Sequence, residues 1–201
     1  LFQNMGYHGS TLDFHHRANS YLNEVIDGRE GLPLSLALLL MEIGQRMELP
    51  IHGVAAPGHF LALYRETDST LEQAVIIDAF AGSRINRQEA DELSGTKLAD
   101  DDFTPASNRD IISRMLRNLI RSAEWEKDTT SILRYLDALI GIDPSDEYNR
   151  TLRAMTLYQE GLYDEALSDI RVLIGEERNS THNAPLLELE RRLLQGHSPQ
   201  F

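Results

Sequence analysis

The 201-residue chain has no cysteine. That excludes disulfides, thiolate metal sites and any thiol nucleophile, and it fits a reducing compartment, so a cytoplasmic protein is expected. Basic residues are scarce: 19 Lys and Arg stand against 32 Asp and Glu, a formal net charge of −13. Non-specific nucleic-acid binding relies on basic surface, so no nucleic-acid partner is expected. Long apolar runs are missing as well. The richest stretch, residues 36–43, is interrupted by Glu42 and falls far short of the ~20 residues of a membrane span. No signal-peptide pattern follows Leu1, which suggests a processing boundary at the start. HExxH, EF-hand and glycine-rich phosphate loops are absent. Asp13, His15 and His16 cluster, but adjacent side chains diverge on an extended chain. Neither a metal nor a cofactor is expected.

What remains is an ordinary globular composition, 41% apolar and 25% charged. Asn19 or Ser20 is placed to cap a short helix carrying Leu22, Val25 and Ile26. In REGLPLSLALLL, residues 29–40, Gly31 closes a turn and Pro33 suits the first position of a helix running to about Met47. That helix is apolar almost all round, which predicts the central element of its domain. Residues 51–56, 59–65 and 73–80 are rich in β-branched and aromatic side chains and predict strands, the last two an antiparallel hairpin. Asn86 with Glu89 forms a capping box for a helix ending at Gly95. Residues 96–106, with Asp100, Asp101, Asp102 and Pro105, predict an acidic linker.

From Ser107 the period is helical. Ser107 and Asp110 cap a first helix, on which Arg114, Arg117 and Arg121 recur three and four apart. Such a row reads as a solvated face, with contact to an acidic partner as the alternative. A second helix ends at Gly141, a third runs from about Ser145 to Glu160, a fourth covers residues 163–174, and Pro185 opens a fifth. These are helix pairs about 35 residues apart, the period of a helical repeat. EGLYDEALSDIRVLI, residues 160–174, resembles the second half of a tetratricopeptide repeat, with Gly161 at the turn, Ala166 at the close crossing and Ile170 and Leu173 in the core. The unit before it is more divergent.

A glycine turn opening an apolar helix, then PGHFLALY (residues 57–64) and AVIIDAF (residues 74–80), sets Gly31, His59 and Asp78 in the order of a nucleophile–histidine–aspartate site. On these residues the first part of the chain resembles the transglutaminase-like fold, a relative of papain-type proteases. More narrowly, the whole chain resembles the bacterial SirB-like family, a transglutaminase-like domain followed by tetratricopeptide repeats. The residues that carry this are Leu1, Phe2, Gly6, Tyr7 and Gly9; NSYL at 19–22; Arg29 and GLPL at 31–34; PGHFL at 57–61; IDAF at 77–80 with Gly82; and RNL at 117–119.

The resemblance implies an α+β first domain, residues 1–106, with a small antiparallel sheet packed on a central helix. An all-α tetratricopeptide-like region with a capping helix follows over residues 107–201. Active transglutaminase-like domains carry G-x-C at the head of the helix, with alanine four residues on. Here Gly31-Leu32-Pro33 precedes Ala37, so the cysteine position falls on Pro33, as in SirB-like proteins generally. Ser35 is the nearby hydroxyl, but two residues along a helix is a rotation of about 200°, which turns its oxygen away. The leading expectation is therefore a non-catalytic interaction or regulatory module with a protein or peptide partner. Its rival is a hydrolase or acyltransferase using Ser35, His59 and Asp78. His59 with Asp78 is either a structural pair or a ligand-binding one, and Asn19 is either a helix cap or an amide donor beside His59. Gly58 and Gly82 are expected to serve turns.

Overall fold

Pro33 opens helix α3 (Pro33–Arg46). Proline has no N–H to lose at a first helical position and its φ is already helical, so the chain enters the helix there without cost. The computed structural model describes residues 1–175 and 184–196. The chain divides into two compact units, Leu1–Trp125 and Glu126–Phe201.

In the first unit, α3 packs against strands β3 (Ile51–Val54) and β4 (Leu61–Tyr64). With β5 (Val75–Asp78) and β6 (Ser83–Ile85) these form an antiparallel sheet in sequential order. Registers Gly53↔Ala62, Ala62↔Ile77 and Asp78↔Ser83 run across it. Leu34, Leu36 and Ala37 of α3 are buried with Phe60, Ala62 and Ala79 in one core. Val54, Leu61 and Leu63 meet Ala90, Leu98 and Phe103 in a second cluster on the other side of the sheet. The alternation of side chains along a strand lets β4 serve both. The architecture is α+β, with small sheets and a majority of helix.

Before α3 lie helix α1 (Phe2–Met5), strand β1 (His8–Gly9), a 3-10 turn (Arg17–Ser20), helix α2 (Leu22–Gly28) and strand β2 (Glu30–Gly31), with β1 and β2 paired in parallel. Asn19 and Ser20 fall in the 3-10 turn, and Tyr21 precedes α2 without a side-chain cap. Only Val25 of the expected apolar face is buried; Leu22 and Ile26 are exposed. The strands are shorter than expected, and His59 lies in the loop ahead of β4 rather than within it. Strand β6 has a polar, largely exposed sequence with no period to announce it. Helix α4 (Arg87–Ser94) has the reciprocal Asn86–Glu89 cap and ends at Gly95 with φ +67°.

Helix α5 (Asn108–Glu126) belongs to the first unit up to Trp125. Ile111 and Met115 pack into the core of α3, and Arg114 Nη1 donates to the Ala56 carbonyl at 2.8 Å. The division between units thus falls at 125/126, beyond the acidic stretch at 96–106.

The second unit is helical: α6 (Thr129–Ile142), α7 (Glu147–Gln159), α8 (Tyr163–Ile174) and α9 (Ala184–Gly196), each packed on the next. Gly141 sits inside α6; Asp143, extended as a residue before proline must be, ends it. Gly161 turns the chain between α7 and α8 at φ +75°, a conformation that costs glycine little. Ala154 and Ala166 are small where these helices meet, among Leu157, Ile170 and Leu193.

One buried carboxylate organises this unit. Asp169 on α8 is 2% exposed and accepts from Arg150 Nη1 at 3.1 Å and from Arg153 Nε and Nη2 at 2.7 and 2.6 Å. Arg153 also donates to Asp137 of α6 at 2.6 Å. Removing one member of a buried pair leaves the other charge uncompensated. We expect Asp169→Asn to cost about 3 kcal/mol, seen in urea unfolding of the full chain and as faster hydrogen exchange in α7 and α8.

Candidate functional site

The strand that ends at Asp78 and the loop that precedes β4 meet at a single carboxylate. Asp78 Oδ1 accepts from the Phe80 backbone N–H at 2.9 Å and lies 3.0 Å from His59 Nε2. Both side chains are nearly enclosed, with 12% of His59 and 5% of Asp78 exposed. Burial pushes the Asp78 carboxyl up. The His59 hydrogen bond and charge, with the backbone N–H groups of Phe80 and Ala81, pull it down further, so it stays below the usual carboxylate range. An ionised Asp78 only accepts, so it holds the imidazole proton on Nε2.

His59 is set by its neighbours. Gly58, at φ +68°, makes the turn, and Phe60 is 1% exposed beneath β3 and β4. A Cβ on Gly53 would stand 2.6 Å from the Phe60 ring, so only glycine there lets the ring lie across the sheet.

His59 lines a cavity of about 290 Å³. Leu32, Pro33 and Leu34, the head of α3, form one wall; Phe14 and His15 form another; Arg114, Arg117, Asn118, Arg121 and Ser122 of α5 complete it. Pro33 thus shares the cavity with the imidazole. Ser122 supplies the cavity's one hydroxyl among the described residues, and it donates to the Asn118 carbonyl at 3.2 Å.

Ser35 is 3% exposed and does not line this cavity. Its hydroxyl donates to the Asn19 carbonyl at 2.6 Å and accepts from the Leu32 backbone N–H at 2.9 Å. A serine in the first turn of a helix commonly serves the helix start in this way. Gly31 lies so near that a Cβ would be 2.8 Å from the Ser35 oxygen. Asn19 does not line the cavity either. Its amide donates to the Asp13 carbonyl at 2.7 Å and the Phe14 carbonyl at 3.4 Å, so it shapes the loop that presents Phe14 and His15. His15 stacks on Trp125 at 5.4 Å, while His16 Nδ1 accepts from the Ala18 backbone N–H.

The arginines of α5 were visible in the sequence only as a periodic row. That they line the His59 cavity depends on how α5 packs against α3, which spacing alone does not specify.

Because the folded Asp78 sits below its ordinary value, its contribution to stability is complete above that value and is lost as pH falls through the lower, folded one. In thermal unfolding across the acid range, the gap between the native chain and Asp78→Asn is expected to stay constant at neutral pH and to close in acid.

Residues 1–117 match the family described as the Transglutaminase-like superfamily. A UPF0162 protein of Xylella fastidiosa strain Temecula1 is 31% identical, in an alignment covering 98% of this chain and 74% of that protein. A UPF0162 protein of Vibrio cholerae is 25% identical, over 87% of this chain and 66% of that protein. The human F-box only protein 21 is 25% identical over 82% of this chain, which is 28% of its own length. No solved structure matches. With its sheet, its helix head and its paired histidine and aspartate in this order, the chain belongs to the transglutaminase-like superfamily, in the group of the UPF0162 proteins.

Proposed function

We propose that this chain is a non-catalytic interaction or regulatory module of the SirB-like kind, a transglutaminase-like domain fused to tetratricopeptide-like helices. One observation carries the reading: Pro33, not a nucleophile, stands at the head of α3 in the cavity of His59. The proline side chain is saturated carbon and its nitrogen is an amide whose lone pair is delocalised, so it cannot attack an acyl carbon. His59 and Asp78 without a nucleophile can bind or donate but cannot open an acyl transfer. The helical unit supports a protein or peptide as partner, since stacked helix pairs offer extended faces for one.

The serine-dependent alternative needs Ser35, His59 and Asp78 within hydrogen-bond reach in that order. The Ser35 hydroxyl is instead committed to Asn19 and Leu32, which weighs against it.

Two measurements decide between them. Incubation of the full chain with a fluorophosphonate is expected to add no mass, and Ser35 labelling would overturn the proposal. The second tests the position of Pro33 directly. In Pro33→Cys, the new thiol would sit at a helix N-terminus beside His59, the setting that stabilises a thiolate. Its alkylation by iodoacetamide at pH 7 should run roughly tenfold faster than that of an ordinary thiol, and adding His59→Ala should abolish most of that gain. A rate indifferent to His59 would remove Pro33 from the nucleophile slot.

A further inference from the structure

The α5 wall of the cavity concentrates positive charge in a chain whose net charge is −13. Arg114, Arg117 and Arg121 lie at i, i+3 and i+7, within roughly 60° of one another around a helix, and all three line the cavity. Like charges three and four apart repel. Burial, followed by the charges of Arg121 and Arg117, pulls Arg114 below its ordinary value. Arg114 is tied to a neutral group, the Ala56 carbonyl, and its guanidinium stands 5.7 Å from the centre of the Phe60 ring. Arg121 makes no hydrogen bond or ion pair among the described residues. The acid one turn earlier, Asp110, accepts from the Ser107 N–H and hydroxyl and also feels the charges of Arg109 and Arg117, and it does not line the cavity.

Facing this cationic wall is an apolar one: Leu32, Pro33, Leu34, Phe14 and Phe60. His59 lines the same cavity, with its Nε2 held by Asp78. The head of α3 adds the positive end of a 14-residue helix. Three guanidiniums and a helix terminus suit an oxyanion of nearly two charges, which a phosphate monoester carries near neutral pH. At about 290 Å³, the space exceeds a bare ion and lies at the small end of ligand pockets.

We propose that this cavity is a binding site for a small phosphate monoester with an apolar or aromatic body, the phosphate against Arg117 and Arg121 and the body beside His59 against Phe14, Pro33 and Leu34. The proposal rests on the reading above in treating the site as one for binding, and it names the chemical class of ligand.

The test uses the full chain with histidine ring resonances followed by NMR, titrated separately with phenyl phosphate, inorganic phosphate and neutral benzyl alcohol. The expected result is that phenyl phosphate shifts the His59 signals saturably, that inorganic phosphate binds about tenfold more weakly, and that benzyl alcohol does not shift them. Arg121→Ala, which removes an exposed side chain with no hydrogen bond or ion pair among the described residues, should weaken phenyl phosphate about tenfold, as loss of a charged hydrogen bond does. Arg121→Lys should recover part of this, and raising salt should weaken binding throughout. No shift with either phosphate, equal response to benzyl alcohol, or indifference to Arg121→Ala would each overturn the site. Release of phenol alongside normal binding would leave the site standing and overturn the non-catalytic reading. Absence of binding with no fluorophosphonate adduct would do the reverse.

Discussion

The Asp78 carboxylate is the point on which the first unit closes. One oxygen accepts from both His59 and the Phe80 N–H, so the end of β5 fixes the imidazole and the direction of the chain after it together. The Phe80 carbonyl then accepts from the Gly9 N–H at 3.0 Å, and the Phe80 ring occupies the space a Cβ on Gly9 would take. On its other side β1 is bonded to β2, with the Ser10 N–H donating to the Gly31 carbonyl at 3.0 Å. Two residues later comes Pro33. A short relay of backbone bonds therefore runs from the carboxylate to the helix head, and the two walls of the cavity are set by one piece of geometry. Glycine at 9 is required by the ring and glycine at 31 by the Ser35 oxygen and Val25.

The helix head that this relay reaches accommodates Pro33 without loss. The first N–H of a helix has no partner within the helix, so replacing it by proline removes no bond. Ser35 bonds the Leu32 N–H and the Asn19 carbonyl, anchoring the helix start to the preceding segment. None of the contacts that hold His59 to Asp78 passes through residue 33. The His59–Asp78 pair and the start of α3 are therefore held by separate contacts.

Much of this was legible in the sequence because the signals are local. The α3 entry at Pro33, the Asn86–Glu89 and Ser107–Asp110 caps and the Tyr163–Ile174 helix each depend on residues within a turn or two. The order of His59 and Asp78 predicted a pair, and the antiparallel register that brings them to 3.0 Å followed from two strands joined by a polar turn. What escaped is tertiary. Asn19 looks like a helix cap by type, but a 3-10 turn intervenes and its amide serves residues 13 and 14. Strand β6 exists because β5 offers an edge to pair with, not because Ser83-Arg84-Ile85 favours extension. The packing of α5 that places Ile111 and Met115 in the first core also aims its arginines, and no spacing rule reveals which way a helix face will turn.

The chain handles clustered arginines in two opposite ways, and the contrast carries information. In the second unit Arg150 and Arg153 converge on Asp169, a carboxylate buried to 2% exposure, and Asp137 takes a further bond. Positive charge is matched there by negative charge from neighbouring helices, as expected of a cluster whose purpose is cohesion. In the first unit the row on α5 has a neutral carbonyl for Arg114 and no ion pair for Arg121 among the described residues, although acidic side chains abound in the sequence. The row also shares its cavity with the imidazole of His59 and an apolar wall. Repulsion along one helix face is a standing cost to the folded state, and an anion drawn into that space would relieve it while leaving the relay from Asp78 to Pro33 untouched.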